Sequence, residues 1–458
     1  MNQLQHLEIS LLVLLAIASA VAILSHRIDM PYAIGLVLAG LALGNVTSFS
    51  GPQLTLELLF LVFLPGLLFE GAFRLDFVAF WKARFSVLTL AVPGLAASTA
   101  LTAALLWLAV NRIKPGSVTL PEALAFGALI SATDPISVLS LFRSSKVDPR
   151  LCMMVEGEAL FNDGTAVVIF TIVLGMADGA AFSWGGAALE FARIFGLAAI
   201  IGAAVGVAAG YLTRAIDDPM IEITMTFLSA YGAFIIAQLL GLSGVIACVI
   251  AGMIAGSWGA RGMRPSTRAA ADSYWNYTAF LLNSVVFLLI GTQIQLPTLT
   301  HYLPEILIGW VAINISRAAV VYTKFAIMRL AGSTDFPLTW ATIIGWGGLR
   351  GGLSMVLALA LPHTFKHREM ILHTTYGVVL LTLLVQGLTI KPLLRGLRLR
   401  GTHEATRRPD AGVKPALRET SDQGAGCGGG RVIARVASIH PNANTATRPC
   451  RIGSDPAF

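Results

Sequence analysis

The chain has 458 residues, 55% of them hydrophobic and only 12% charged, with a mean hydropathy of +0.74. A water-soluble domain carries roughly twice that share of charge, so this balance excludes a soluble enzyme or binding module and makes lipid the main solvent. The net charge of +7 does not imply a nucleic-acid partner, because the basic residues sit in short loops where they orient helices during membrane insertion.

Apolar runs fall in chain order at about 8–25, 31–48, 54–73, 84–111, 121–143, 152–177, 189–214, 220–240, 242–257, 274–294, 303–330, 338–361 and 370–398. Most are near or above the ~20 residues that carry an α-helix across a ~30 Å hydrocarbon core. The period-2 alternation of an outer-membrane barrel does not recur. The predicted fold is an all-α polytopic membrane protein with about 13 transmembrane helices. The ninth run is short and follows directly on the eighth, so 12 is the alternative count.

Lysine and arginine set the orientation. With the N-terminus outside, one side collects basic residues from Arg27 through Arg400, while the other holds Arg112, Lys114, Lys366 and Arg368, with Arg193 near a helix end. The richer side is cytoplasmic by the positive-inside rule, so in this multi-pass plasma-membrane protein the N-terminus is expected outside and the C-terminus in the cytoplasm. An odd span count gives spans 1–6 and 8–13 opposite orientations, the pattern of inverted repeats in secondary transporters.

In that pattern spans five and twelve correspond, and both are interrupted. One carries Thr133-Asp134-Pro135 and the other Gly345-Trp346-Gly347-Gly348-Leu349-Arg350-Gly351-Gly352. Proline removes a backbone donor and clustered glycines weaken a helix, so both segments are expected to unwind in mid-membrane. Matched interruptions of this kind point to a transporter's binding site. Residues 401–458 are rich in Gly, Ala, Thr, Pro and Arg without amphipathic periodicity. They read as a disordered cytoplasmic tail behind a transmembrane domain over 1–400.

Glu70, Asp134, Glu156, Glu158, Asp163, Arg317 and Arg350 fall inside these spans. Each charge costs about 2.5–3.5 kcal/mol at a helix centre, so such residues pair, line water or hold ions. Asp134 and Asp163 lie within about 3 Å of the middle of their helices at ~1.5 Å per residue. Glu156 and Glu158 sit nearer the cytoplasmic end of span six, where Glu156 reads as a solvated residue. A small hard cation prefers oxygen ligands, and Asp163, Asp134, Thr133, freed carbonyls and water supply them. A carboxylate that takes either a proton or a cation couples the two by competition. No phosphate loop of the G-x-x-x-x-G-K-[ST] type occurs, and no cofactor is expected.

Thr133-Asp134-Pro135, the run Glu156-Gly157-Glu158-Ala159-Leu160-Phe161-Asn162-Asp163-Gly164, and Gly348-Leu349-Arg350-Gly351 together resemble the signature of the monovalent cation:proton antiporters. The resemblance is to the branch with bacterial NhaP-type and animal sodium/proton exchangers, and it spans about residues 8–398. It implies a homodimer with a dimerisation part and a six-helix core that moves as an elevator. It implies that Asp163 binds both the transported alkali cation and the proton, with Thr133 and Asp134 beside it. Asn162 stands where an electrogenic relative has a second aspartate, which implies electroneutral exchange. Glu158 would pair with Arg317 to fix the core, Arg350 would offset the helix ends, and Glu70 would border the cytoplasmic ion path. One position departs from the pattern: Ala159 stands where the bacterial branch commonly has serine, which removes a ligand and bears on cation preference. A transporter of another substrate, such as an organic anion, would want basic groups facing it, and Arg350 is the one candidate. A non-transporting sensor would want a recognisable cytoplasmic domain.

Overall fold

The computed structural model describes residues 3–28, 30–46, 55–135, 138–139, 141–142, 147–177, 183–330 and 337–397. The tail expected at 401–458 lies outside the described residues. All regular elements among the described residues are helical, and nine helices are long and apolar enough to cross a membrane.

Helices α1 (Gln3–Ile28) and α2 (Tyr32–Val46) open the chain. Helix α3 (Leu64–Arg74) continues from a π-helical turn at Leu59–Phe63. Helix α4 (Phe77–Ile113) holds a second π turn, Leu90–Gly94, where Pro93 lacks the N–H that a regular ladder needs. Helix α5 (Leu120–Ser131) starts on a capping box in which Glu122 accepts the Thr119 N–H at 2.7 Å. It stops after Ser131, the chain runs irregularly through residues 132–135, and residues 138–139 and 141–142 are helical again. The fifth expected span is therefore interrupted at its Thr-Asp-Pro element.

Helices α6 (Pro149–Ala177), α7 (Trp184–Ala215), α8 (Pro219–Leu239), α9 (Gly244–Ser257), α10 (Pro265–Gln293) and α11 (Leu303–Leu330) follow. Short polar loops stop and restart them: Asp218 caps α8 by accepting from Met220 and Ile221, and Ser243 caps α9 by accepting from Ile246. The twelfth expected span is two half-helices, α12 (Leu338–Trp346) and α13 (Gly352–Leu359), with residues 347–351 between them. Helix α14 (Arg368–Gly396) closes the described chain and carries a third π turn at Thr382–Gln386.

Lipid offers no hydrophobic contrast to drive helices together, so close packing comes from small residues that let backbones approach. Helix α7 lays Gly202 and Gly206 against Ala247 and Ala251 of α9. The opposite side of α9 lays Gly252 and Gly256 against Phe69 and Phe73 of α3. Flanked in this way, α9 is largely buried although nearly every side chain on it is apolar. Gly40 and Gly291 do the same for α2 and α10, where a Cβ on Gly40 would fall 3.0 Å from the Gly291 Cα. The far face of α7 instead exposes Leu197, Ile200, Tyr211 and Leu212, a surface suited to lipid.

Candidate functional site

The two interruptions meet. The Asp134 N–H donates to the Leu349 carbonyl at 2.8 Å, so one break supplies the donor and the other the acceptor. Helix α5 ends with carbonyls that have no helical partner. Arg350 reaches across from the second break, and its Nη1 donates to the carbonyls of Ser131 at 2.7 Å and Ala132 at 3.1 Å. A fixed positive charge thus sits at the negative end of α5. The Arg350 N–H donates to Thr382 Oγ1 at 3.3 Å, where the π turn of α14 begins. Two glycines make this approach feasible. A Cβ at Gly351 would lie 2.8 Å from the Asp134 Cγ, and one at Gly348 would lie 3.2 Å from the Arg317 Nε.

Helix α6 distributes its polar groups by angle. Asp163 is the central residue of this 29-residue helix. At 100° per residue Glu158 is about 140° away from it, whereas Ala159 and Glu156 lie within about 40° of its direction. The structure follows that division. Asp163, Ala159 and Glu156 face a cavity of about 310 Å³, whose wall also includes Thr133, Asp134 and Glu70. Glu158 turns away and meets Arg317 at 2.5 Å, with side chains only 3% and 10% exposed. This is an ion pair by distance rather than an aligned hydrogen bond. Arg317 also donates from Nη2 to the Ile344 carbonyl at 3.3 Å, so the pair joins α6, α11 and α12. Lys324, a second buried cation on α11, donates to the Ser86 carbonyl of α4.

Asn162 does not line the cavity. Its Nδ2 donates to Thr133 Oγ1 at 3.0 Å and to the Ser131 carbonyl at 3.3 Å, pinning the first break to α6. Arg350 is committed to the carbonyls of Ser131 and Ala132, and the Asn162 amide to Thr133 and the Ser131 carbonyl. Asp163 is left half-buried on the cavity wall.

Toward the end of the molecule that holds the start of α6, the cavity wall carries Glu70 and Arg74, one turn apart on α3 and paired at 2.8 Å. Glu156, expected as a solvated residue near this end of the span, is here too, partly exposed on the cavity wall and two turns from Asp163 on the same face. Sequence reading also passed over Asn276, Asn283 and Ser354, all on the wall. The two asparagines are seven residues apart, hence on one face of α10. That spacing of polar side chains in an apolar run was the available signal.

A carboxylate at the centre of a membrane-length helix, two broken helices crossing beside it and a cavity reaching it from one end define a membrane transporter. The chain belongs to the sodium/hydrogen exchanger family, whose transmembrane family model matches residues 12–396. It is 39% identical to the Na(+)/H(+) antiporter ApNhaP of Aphanothece halophytica, over 87% of this chain and 76% of that one. It is 34% identical to the Na(+)/H(+) antiporter NhaH of Halobacillus dabanensis, over 85% of this chain and 97% of that one. Its fold matches the sodium proton antiporter MjNhaP1 of Methanocaldococcus jannaschii with a TM-score of 0.70 at 18% identity, covering 86% of this chain and all of that one.

Proposed function

We propose that this protein exchanges an alkali cation, sodium foremost, for protons, and that the two compete for the Asp163 carboxylate. The observation that carries the reading is the position of Asp163 at the centre of α6, on the cavity wall and left free by Arg350 and Asn162. A side chain locked to an arginine could not alternate between two cations. The naming of relatives at 34–39% identity as Na(+)/H(+) antiporters supports the same reading.

Thr133 and Asp134 contribute oxygens beside Asp163, and Asn162 holds Thr133 in place. One titrating carboxylate next to a neutral asparagine favours one-for-one, electroneutral exchange. The Glu158–Arg317 pair fixes the core helices, Arg350 balances the end of α5, and Glu70 borders the route by which ions enter. The segment count favours thirteen spans in two inverted repeats, with the N-terminus outside and the C-terminus in the cytoplasm. The cavity as described is then open inward. The domain over 1–400 works as a homodimer in the lipid of the plasma membrane, its core moving against the dimerisation part.

The test is reconstitution in vesicles with an imposed pH gradient. Added sodium, lithium or potassium is scored by the collapse of that gradient, with and without a voltage clamp by ionophore. Collapse by at least one alkali cation, without current and absent from Asp163→Asn, is expected. Robust exchange by a folded Asp163→Asn protein would overturn the assignment.

A further inference from the structure

Several buried hydroxyls in this protein are satisfied by their own helix. Ser131, Thr165, Ser316 and Thr375 each donate to the carbonyl four residues earlier, at 2.6–2.8 Å. Such a bond needs a helical turn before the hydroxyl. Ser354 has none, because α13 begins at Gly352 and the carbonyl four residues back belongs to Arg350, inside the second break. The residue is fully buried, and its Oγ makes no hydrogen bond. It also belongs to the wall of the cavity that holds Asp163. Among the described residues, no other buried side-chain nitrogen or oxygen on that wall lacks a partner.

The fold sets this hydroxyl beside the carboxylates. Helix α13 packs against α5, α6 and α10. Where it begins, a Cβ on Gly351 would stand 2.5 Å from Asp134 Oδ2, so the Asp134 carboxylate lies over the entrance to the helix. Ser354 is three residues, close to one turn, further on. The second break supplies no other side-chain oxygen over residues 347–353, which are glycines, two leucines and Arg350. Arg350 itself is a cation, committed to the carbonyls of Ser131 and Ala132. Buried polar groups in folded proteins are nearly always paired, so an orphan on the wall of a binding cavity calls for a ligand.

We propose that Ser354 is a specificity-determining residue of the exchange site, its Oγ supplying a neutral oxygen to the alkali cation held by Asp163. A hydroxyl carries two lone pairs and one proton. It can turn a lone pair to the cation and donate its proton to a carboxylate oxygen at the same time. Hard cations are thereby given one more oxygen ligand without one more charge, which one-for-one exchange requires. The second break then contributes to the site directly, and Ser354 stands in for the oxygen that Ala159 lacks on α6. This inference deepens the exchange reading argued above and rests on it.

The experiment measures exchange in reconstituted vesicles at fixed pH, with sodium, lithium and potassium titrated separately. Ser354→Ala removes the oxygen, while Ser354→Cys keeps the shape but offers sulfur, a soft atom poorly suited to hard cations. Both are expected to raise the half-maximal sodium concentration roughly three- to tenfold, as loss of one interaction of hydrogen-bond strength does. That rise should exceed any fall in maximal rate and should differ among the three cations. Adding Ala159→Ser to Ser354→Ala is expected to restore part of the loss. A residue that merely packs α13 would instead lower the maximal rate and the unfolding temperature, equally for all three cations. Should the alanine variant fail to fold, the cysteine variant carries the same test. Wild-type half-maximal concentrations for all three cations in Ser354→Cys would overturn the proposal, as would a loss confined to the maximal rate. A wild type that exchanges no alkali cation would sink the exchange reading instead, a separate outcome.

Discussion

Gly351 and the Asp134 carboxylate occupy space that excludes a side chain between them: a Cβ at 351 would lie 2.8 Å from the Asp134 Cγ. Combined with the bond from the Asp134 N–H to the Leu349 carbonyl, this makes the two crossing segments one unit, each break completing the other. Gly351→Ala is therefore expected to displace Asp134 rather than unfold the protein. Overpacking of this kind costs about 1–3 kcal/mol, enough to move a site without dissolving a fold. Exchange should drop at least roughly tenfold for each 1.4 kcal/mol misplaced at the site. Normal thermal unfolding in detergent alongside that loss is the check.

Competition at Asp163 sets a pH dependence with a definite sign. A bound proton must leave before a cation binds, so raising pH on the cavity side should lower the cation concentration that gives half-maximal exchange. The limit for one proton displaced by one cation is about tenfold per pH unit. Half-maximal concentrations measured at several pH values test this, and a flat profile contradicts competition. Asp163→Asn should show neither exchange nor the pH dependence.

The Glu158–Arg317 pair should behave as structure. Removing one partner leaves a buried charge alone, at a cost of about 3–5 kcal/mol, so Glu158→Leu and Arg317→Met should each lower the unfolding temperature sharply. The double variant should recover much of that loss, since apolar groups of similar volume often replace a buried pair without penalty. Unfolding curves of the four proteins decide it, and a double variant no better than the worse single one contradicts the assignment.

Ala159 presents a methyl group to the cavity one turn from Asp163, with its residue only 3% exposed. Ala159→Ser adds an oxygen on that face. The expected result is a half-maximal sodium concentration lowered by roughly three- to tenfold, the worth of about one hydrogen-bond-strength ligand. Comparing sodium, lithium and potassium in the same vesicles would reveal whether the missing oxygen sets preference as well as affinity.

Much of this was legible in the sequence because membranes make polar residues conspicuous. Asp163, Glu158, Arg317 and Arg350 stood out as charges in apolar runs, and helical angle alone separates Asp163 from Glu158. The proline and glycine interruptions announced both breaks. Partners reached through tertiary structure were less accessible. Arg350 was expected to offset helix ends, but only coordinates give its bonds to Ser131 and Ala132. Asn276 and Asn283 carry no charge and so drew no notice. The π turns in α3, α4 and α14 depend on neighbouring packing, and only Pro93 hinted at one of them.

The cavity beside Asp163 also reshapes the electric field. Water filling it would bring the potential of one bath close to the middle of α6, leaving the membrane voltage to fall across the half of the protein that holds the start of α5. An ion arriving through the cavity would cross little of that drop, so its binding should be nearly insensitive to voltage. A carboxylate neutralised by one proton or one alkali cation would likewise pass the closed side with little electrical work, as one-for-one exchange requires.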